Sequence, residues 1–182
     1  MRIITGLARG KRLVTPAGRE VRPTPERVKE AIFSALQFEI EGRRVLDLFA
    51  GSGQLGLEAL SRGAASATFV DNSEVSLTAV KKNIEAAGFS EQSRTVRSDF
   101  AAFASGCRER FDLAFLDPPY ADGLLEPAIC AVVPLMSDHG TIVCEHPGEV
   151  SPPEKVGAFC LLRRYRYGKV FVSVYRKGET DE

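Results

Sequence analysis

The sequence predicts an α/β fold in which a mostly parallel sheet carries helices on both faces. Short apolar runs alternate with helical segments from residue 44 onwards, a pattern typical of successive βαβ units. The chain has 182 residues, which suits one domain with a single sizeable core. In such a doubly wound domain, ligands bind outside the carboxyl ends of the strands. Functional residues are therefore expected directly after the predicted strands.

The predicted elements follow one another in a regular order. Residues 1–23 form a basic N-terminal extension whose two strand-like runs are separated by glycines, which indicates a short hairpin. Thr24 is expected to cap the first helix, with Pro25 in its first position. The main domain is expected over residues 24–178, followed by an acidic tail at residues 179–182. Strands are predicted at residues 45–49, 67–70, 95–97, 111–116, 141–144, 159–162 and 170–175. Further helices are predicted at residues 54–60, 75–87 and 124–135.

Charge is balanced overall but unevenly distributed. Lysine plus arginine total 24, as do aspartate plus glutamate, so the net charge indicates no partner. The extension over residues 1–23 nevertheless holds six basic residues and one acidic residue. This segment is either an electrostatic footprint for nucleic acid or a solvated basic surface. A second basic cluster consists of Arg163, Arg164, Arg166 and Lys169.

The cysteines argue against a metal site. Cys107, Cys130, Cys144 and Cys160 are scattered without a Cys-x-x-Cys pair, so neither a zinc site nor a disulfide framework is expected. We expect buried, reduced thiols instead. The sequence has no signal-peptide pattern and no long apolar run, so we expect a cytoplasmic protein with no membrane segment.

A glycine-rich turn follows the first predicted strand. Gly51, Ser52 and Gly53 allow a ligand to approach the backbone closely, and the next helix presents free N–H groups. With Gly56 they spell the G-x-G-x-x-G of dinucleotide sites, so a nicotinamide site and a purely structural turn are alternatives. Asp47, however, would repel a pyrophosphate and attract a cationic sulfonium that bears an ammonium group. The turn therefore favours S-adenosylmethionine.

Two further strands also end near acidic residues. Asp71, beside Asn72, can accept hydrogen bonds from both ribose hydroxyls of such a cofactor. Asp99 can accept from an adenine amino group, while Phe100 offers a packing surface. Each aspartate could instead cap the helix that follows it. Their common position at strand ends favours a shared binding site.

The most specific feature is Asp117-Pro118-Pro119-Tyr120, which follows the fourth predicted strand. The prolines stiffen the turn and remove two backbone donors, so the Asp117 carboxylate and the Pro118 carbonyl can both act as acceptors. An exocyclic aromatic amine needs two acceptors to orient its lone pair toward a methyl donor. Tyr120 would stack on the target base. The motif thus predicts methylation of an amino nitrogen.

Such a mechanism needs no strong general base. His139 and His146 are therefore interpreted as loop and strand-edge residues. Glu145 ends the fifth predicted strand, where it either lines the substrate side or is a surface charge.

The chain resembles a known family in the segments that carry these motifs. The motifs of class I amino-methyltransferases are matched by VLDLFAGSGQLGLEALSRGA (45–64), FVD (69–71), SDF (98–100) and DPPY (117–120). Three further segments resemble more specifically those of the bacterial small-subunit (16S) rRNA guanine-N2 methyltransferases. They are RIITGLARGKRL (2–13), RPTPERVKEAIFSAL (22–36) and GLLE (123–126). The resemblance covers nearly the whole chain. One departure is Asp71-Asn72, where a glutamate is expected; aspartate keeps the role with a shorter reach.

The resemblance implies a Rossmann-like, seven-stranded sheet with an antiparallel last strand. It also implies S-adenosylmethionine as cofactor and a guanine in small-subunit rRNA as target. Because so small a domain has no separate recognition module, we expect a partly assembled ribosomal particle to be a better substrate than naked RNA. We expect the RNA to contact Arg9, Lys11, Arg12, Arg22 and Arg27, and the protein to be a monomer without a metal.

The chemistry alone leaves other functions open. DNA or RNA adenine-N6 methylation, cytosine-N4 methylation and protein glutamine methylation would use the same acceptors. DNA readout, however, normally needs additional elements that enter the major groove. A non-enzymatic RNA-binding module is disfavoured by the intact glycine turn and the Asp117 motif.

Overall fold

The computed structural model of the chain describes residues 1–18, 24–120 and 123–179. The helices are α1 (Glu26–Ala35), α2 (Gln54–Ser61), α3 (Glu74–Ala87), α4 (Phe100–Gly106) and α5 (Leu125–Val132). The strands are β1 (Arg44–Leu48), β2 (Ser66–Asp71), β3 (Ser93–Arg97), β4 (Phe111–Leu116), β5 (Met136–Pro147), β6 (Lys155–Val156), β7 (Phe159–Tyr167) and β8 (Val170–Lys177).

The strands form one sheet in the order β3-β2-β1-β4-β5-β8-β7-β6. Strands β1 to β5 run parallel, whereas β8 is antiparallel to β5, and β7 and β6 continue the antiparallel pairing. Two clusters of buried apolar side chains cover the sheet. The α/β class and the mostly parallel sheet are therefore as predicted.

The sheet has eight strands, so the expected number of seven is wrong. The additional strand, Lys155–Val156, has only two residues and turns back onto β7 through Gly157, whose φ is 56°. A strand of this length leaves no alternating pattern in the sequence. The sequence prediction also lacked α4, a helix of seven residues that buries only Phe103.

The first helix begins differently from the prediction. Pro25, rather than Thr24, is the residue that precedes the helix, and no side chain caps its first N–H groups. The Thr24 side chain is buried, and its hydroxyl donates to Glu145 Oε2 at 2.7 Å. The helix begins one residue later than predicted, so Thr24 does not occupy the capping position, and its hydroxyl instead makes a charge-assisted hydrogen bond to Glu145.

The N-terminal extension packs onto the domain. Arg2 and Arg12 form an antiparallel bridge, and the Ile3 N–H donates to the Lys11 carbonyl at 2.9 Å, so the predicted hairpin is present as a single bridge. Ile3 and Leu13 are buried in the core cluster that contains α1 and α2 residues. The extension is therefore part of the folded unit.

Two buried polar residues hold the extension in place. Glu58 in α2 accepts hydrogen bonds from the N–H groups of Ile4 at 2.9 Å and Thr5 at 3.1 Å. Asn83 in α3 accepts from the Val14 N–H at 2.8 Å and donates to the Val14 carbonyl at 2.9 Å. The extension thus lies on the two helices that follow β1 and β2.

The four cysteines are free but differ in burial. Cys144 is buried, Cys107 and Cys160 are partly buried, and Cys130 is exposed. The expectation of buried thiols is correct for Cys144 and wrong for Cys130, which lies on the outward side of α5. Over the described ranges, no helix is long and apolar enough to cross a membrane.

Candidate methyltransferase site

A cavity of about 910 Å³ opens at the carboxyl ends of the parallel strands. Its wall includes the ends of β1, β2 and β4, and it also reaches Glu145 on β5 and Val170 on β8. Strand β1 has β2 as its neighbour on one side and β4 on the other, so the strand order reverses direction at β1. The cavity therefore lies at the topological switch point of the sheet. The size is typical of a small-molecule site.

The glycine turn forms one wall of this cavity. Gly51 and Gly53 have φ values of 59° and 79°, which other residues rarely adopt. A Cβ atom added at Gly51 would meet nothing within 4 Å, so the backbone there borders open space. Gly53 immediately precedes α2. The turn therefore exposes its backbone to a ligand, as the sequence predicted.

Asp47 lies beneath the glycine turn with 2% of its surface exposed. Its Oδ2 accepts a hydrogen bond from the Gly56 N–H at 2.9 Å. Gly56 must lack a side chain, because a Cβ atom there would lie 2.4 Å from the Phe69 ring. Burial raises the pKa of Asp47 to about 7; the bond from Gly56 opposes this rise, and the charge of Asp71 adds to it. A cation bound nearby would favour the ionised form.

Asp71 ends β2 and joins the glycine turn to α3. Its Oδ2 accepts from the Gly51 N–H at 3.0 Å, and its Oδ1 accepts from the Ser73 N–H at 2.8 Å. Ser73, rather than Asp71, caps α3. Each carboxylate oxygen can accept a second hydrogen bond, so Asp71 remains able to bind hydroxyl groups. The adjacent Asn72 is exposed and also lines the cavity.

Asp99 and Phe100, which follow β3, also line the cavity. Asp99 caps α4 by accepting a hydrogen bond from the Ala102 N–H at 2.9 Å. It is therefore both a helix cap, as the alternative interpretation expected, and part of the cavity wall. Phe100 lies 5.6 Å from Phe49 between ring centroids, at a tilt of 48°. Phe49 has a φ of 66°, an uncommon conformation for a residue with a bulky side chain. The two rings provide an apolar surface for a flat group.

Two buried polar atoms on the cavity wall have no hydrogen-bond partner within the described part of the chain. They are Gln54 Oε1 and Ser76 Oγ. Buried polar atoms are usually paired, so their orphaned state indicates that a polar ligand belongs here. Together with the carboxylates and the aromatic rings, these atoms fit a cofactor with amino, hydroxyl and planar groups. Ser52 is buried beside them, and its carbonyl accepts from Asn83 at 2.8 Å.

The predicted catalytic turn occupies the adjoining wall. Asp117 directly follows β4, and the pairing of Leu116 with Cys144 makes Glu145 its neighbour on β5. Asp117 is partly buried, and its pKa is raised above the ordinary value, first by burial and then by the nearby charges of Glu145 and Asp47. Asp117, Pro118, Pro119 and Tyr120 all line the cavity, with Pro118 buried and Pro119 exposed.

Glu145 connects this turn to α1. Only 5% of its surface is exposed, so it is not a surface charge. Glu145 Oε1 accepts a hydrogen bond from the Tyr120 hydroxyl at 3.1 Å, and Oε2 accepts from the Thr24 hydroxyl at 2.7 Å. The Tyr120 side chain is 39% exposed, which leaves part of its surface accessible. The structure thus places Glu145 in the cavity wall, beside the predicted catalytic turn.

The cavity is strongly acidic. Five carboxylates line it, and no lysine or arginine does so among the residues that the structure describes. They are Asp47, Asp71, Asp99, Asp117 and Glu145. This charge distribution suits a cationic ligand and hydrogen-bond donors, and it disfavours a pyrophosphate.

The predicted RNA contacts lie outside the cavity. Arg9, Lys11, Arg12 and Arg27 are exposed, whereas Arg22 lies outside the described residues. Across residues 1–18, 24–120 and 123–179 there is no cluster of three or more side chains suited to hold a metal ion. His146 is not at an edge: it is buried in β5, stacks on Phe171 and bonds to Ser173 Oγ at 2.8 Å.

Comparison with known proteins identifies the family of the chain and agrees with the fold. The profile of a family described as "Conserved hypothetical protein 95" matches residues 1–176. The Ribosomal RNA small subunit methyltransferase D of Escherichia coli (strain K12) is 35% identical over 186 residues, which span 100% of this chain and 93% of that protein. The chain belongs to this family of rRNA methyltransferases.

Solved structures have a fold similar to that of this chain. The structure of yhhF from Escherichia coli has a TM-score of 0.85 and 34% sequence identity, with 99% of both chains covered. The structure of SMU.776, complexed with SAH, has a TM-score of 0.67 at 16% identity and covers 81% of this chain and 48% of that chain. At this low identity the second likeness shows the fold alone.

Several residues that line the cavity were absent from the predicted site, among them Phe49, Gln54 and Ser76. Phe49 and Gln54 flank the glycine turn, and Ser76 lies in the first turn of α3. The positions of Phe49 and Gln54 beside a recognised motif were a usable signal. Ser76 had none, because serine in the first turn of a helix is common for reasons of local structure alone.

Proposed function

We propose that the protein transfers a methyl group from S-adenosylmethionine to the exocyclic N2 of a guanine in small-subunit rRNA. The observation that carries the proposal is the shared cavity. The Asp117-Pro118-Pro119-Tyr120 turn forms one wall, and the glycine turn with Asp47 and Asp71 forms the other. The 35% identity to a protein named Ribosomal RNA small subunit methyltransferase D supports the choice of RNA.

The donor set fits the cofactor that this reaction requires. Asp47 would face the ammonium group, Asp71 with Asn72 the ribose hydroxyls, and Asp99 the adenine amino group, while Phe49 and Phe100 flank a planar ring. The backbone of Gly51, Ser52 and Gly53 would border the rest of the cofactor. When bound, the cofactor supplies an electrophilic methyl group on a cationic sulfur. Its positive charge would favour the ionised form of Asp47, whose pKa burial raises to about 7.

The catalytic turn would act by orienting the amine. Asp117 and the Pro118 carbonyl would each accept one N–H of the guanine N2, which directs the nitrogen lone pair at the methyl carbon. The bound cofactor would supply the methyl group that N2 accepts. Asp117, whose pKa is raised, would be suited to receive the proton that N2 loses. Tyr120 would stack on the base and Pro119 would keep the turn rigid.

The RNA must present an unstacked guanine to reach this cavity. Flipping a base costs a few kcal/mol, and RNA loops present such bases at low cost. The exposed Arg9, Lys11, Arg12 and Arg27, with Arg22, would bind flanking phosphates. A domain of this size gains further specificity from the shape of a partly assembled small-subunit particle, which we therefore expect to be a better substrate than naked RNA.

The test is methyl transfer from labelled S-adenosylmethionine to small-subunit particles and to naked rRNA from cells that lack the gene. Digestion and mass spectrometry identify the labelled nucleoside, which we expect to be N2-methylguanosine. If N6-methyladenosine or N4-methylcytidine is the only product, the choice of guanine is wrong while the methyltransferase assignment stands.

A further inference from the structure

We propose that Glu145 selects guanine by accepting a hydrogen bond from the ring N1–H beside the amino group that Asp117 holds. The proposal rests on the proposed function, because it names the residue that reads the target base in the same cavity. It starts from an unusual arrangement: two acidic side chains at the ends of neighbouring parallel strands both line the substrate side of the cavity.

Asp117 and Glu145 lie close enough for the charge of Glu145 to raise the pKa of Asp117, in addition to the larger effect of burial. The two carboxylates can each accept their own hydrogen bond when a ligand offers donors on two nitrogens that are bonded to the same carbon. The chemistry of the site therefore favours a target whose amino group has a second donor as its neighbour.

Among the nucleobases with an exocyclic amine, only guanine meets this requirement. The carbon that carries its amino group, C2, is also bonded to N1, which carries a hydrogen. In adenine the amino-bearing carbon C6 is bonded to the N1 acceptor, and in cytosine the amino-bearing carbon C4 is bonded to the N3 acceptor. The amide nitrogen of glutamine is likewise flanked by a carbonyl acceptor. An ionised Glu145 would repel each of these acceptors, so it would exclude all three alternative substrates.

Glu145 is held in position for this role. The Thr24 and Tyr120 hydroxyls donate to different oxygens of its carboxylate, at 2.7 Å and 3.1 Å. Each oxygen of a carboxylate can accept more than one hydrogen bond, so acceptance from Thr24 and Tyr120 is compatible with acceptance from a base N–H. Tyr120 also belongs to the catalytic turn, so the ring expected to stack on the base and the carboxylate expected to read its edge are fixed relative to each other.

The test compares guanosine with 2,6-diaminopurine riboside at the methylated position. Both carry the 2-amino group, but diaminopurine has an N1 acceptor where guanine has N1–H. Nucleoside mapping on unmodified small-subunit rRNA first identifies the target nucleotide. Synthetic RNA that spans it, ligated into the small-subunit rRNA if the fragment alone is not methylated, then carries either base. Wild-type protein should prefer guanosine in kcat/KM by about 100-fold, because a charged acceptor would be left facing a lone pair.

The Glu145→Gln variant separates base reading from methyl transfer. Its side-chain amide can donate to the N1 acceptor, so kcat/KM should fall by about 10- to 100-fold for guanosine and should not fall for diaminopurine. The matched control is Glu149→Gln, which removes an exposed carboxylate a short distance beyond the same strand and should keep the wild-type preference. Calorimetric affinity for S-adenosylmethionine checks that each variant is folded.

Different outcomes contradict different statements. An unchanged base preference in folded Glu145→Gln, or equal methylation of both bases by wild-type protein, would overturn the role of Glu145. The wild-type comparison stands even if the variant fails to fold. If incubation of unmodified small-subunit rRNA with the protein and S-adenosylmethionine yields no N2-methylguanosine, the proposed function is contradicted instead.

Discussion

The hydroxyl of Tyr120 donates a hydrogen bond to Glu145 Oε1 at 3.1 Å, which ties the catalytic turn to the neighbouring strand. The aromatic ring and this hydroxyl can therefore be tested separately. Tyr120→Phe keeps the stacking face and should reduce kcat/KM by roughly 2- to 10-fold, the value of one hydrogen bond. Tyr120→Ala also loses stacking worth about 1–3 kcal/mol and should be much less active. Equal losses in the two variants would assign the function to the hydroxyl alone.

Asp117 should be required for turnover but not for cofactor binding. Asp117→Ala removes an acceptor of the target amine and should abolish methyl transfer, while calorimetric affinity for S-adenosylmethionine stays nearly unchanged. Asp117→Asn keeps one carbonyl acceptor and should retain measurable activity. The control is Asp138→Asn, at an exposed carboxylate that pairs with Lys177 far from the cavity. A large loss of cofactor affinity in Asp117→Ala would place this residue in the cofactor site instead.

Asp71 should contribute directly to cofactor affinity. Asp71→Ala removes a charge-assisted acceptor of the ribose hydroxyls and should weaken S-adenosylmethionine binding by about 1–3 kcal/mol. Part of this loss would be indirect, because the substitution also removes the hydrogen bond that the Gly51 N–H donates to Asp71 at 3.0 Å and that holds the glycine turn. Calorimetry with both S-adenosylmethionine and NADH measures the effect. Tight NADH binding without binding of S-adenosylmethionine would contradict the cofactor assignment.

Cofactor affinity should rise with pH across neutrality. The pKa of Asp47 is about 7, so this carboxyl is mostly neutral at pH 6 and mostly ionised at pH 8. A cationic cofactor favours the ionised form, so its affinity should increase by up to about tenfold over this interval. The same calorimetric series with Asp47→Asn should be much flatter. An equally steep series in this variant would show that another group causes the pH dependence.

The basic extension should determine the salt dependence of RNA binding. Deleting residues 1–23 would also remove Ile3 and Leu13 from the core, so substitution of charges is the cleaner experiment. Replacing Arg9, Lys11 and Arg12 by glutamine should lower the slope of log affinity against log salt by about 2, at roughly 0.7 for each contact with single-stranded RNA. Affinity for S-adenosylmethionine should not change. If the slope is unchanged, these charges serve solubility.

The sequence predicted those parts of the site that depend on short segments. Asp47, Gly51 and Gly53 lie within seven residues, and the Asp117 turn is continuous. Glycines and prolines restrict the backbone locally, so their effect on structure can be read without knowledge of distant contacts. The same holds for the end of the helix predicted at residues 75–87, because Gly88, in the left-handed conformation, ends α3 there.

Contacts between distant segments were not predictable in this way. Thr24 and Glu145 are 121 residues apart in the chain, and nothing in either segment indicates their hydrogen bond. A helix cap was therefore the natural interpretation of Thr24, and a surface charge was an equal alternative for Glu145. His146 was assigned to an edge for a related reason, because the extension of β5 to Pro147 and its pairing with β8 depend on tertiary structure.

The attachment of the N-terminal extension limits how the domain can be recombined. Glu58 receives the Ile4 and Thr5 N–H groups, and Asn83 bonds to Val14 and also to the Ser52 carbonyl of the glycine turn. The extension is therefore not a portable module. A chimera that transplants it onto another methyltransferase of this fold would have to carry Glu58 and Asn83 with it, or leave its backbone N–H groups unsatisfied.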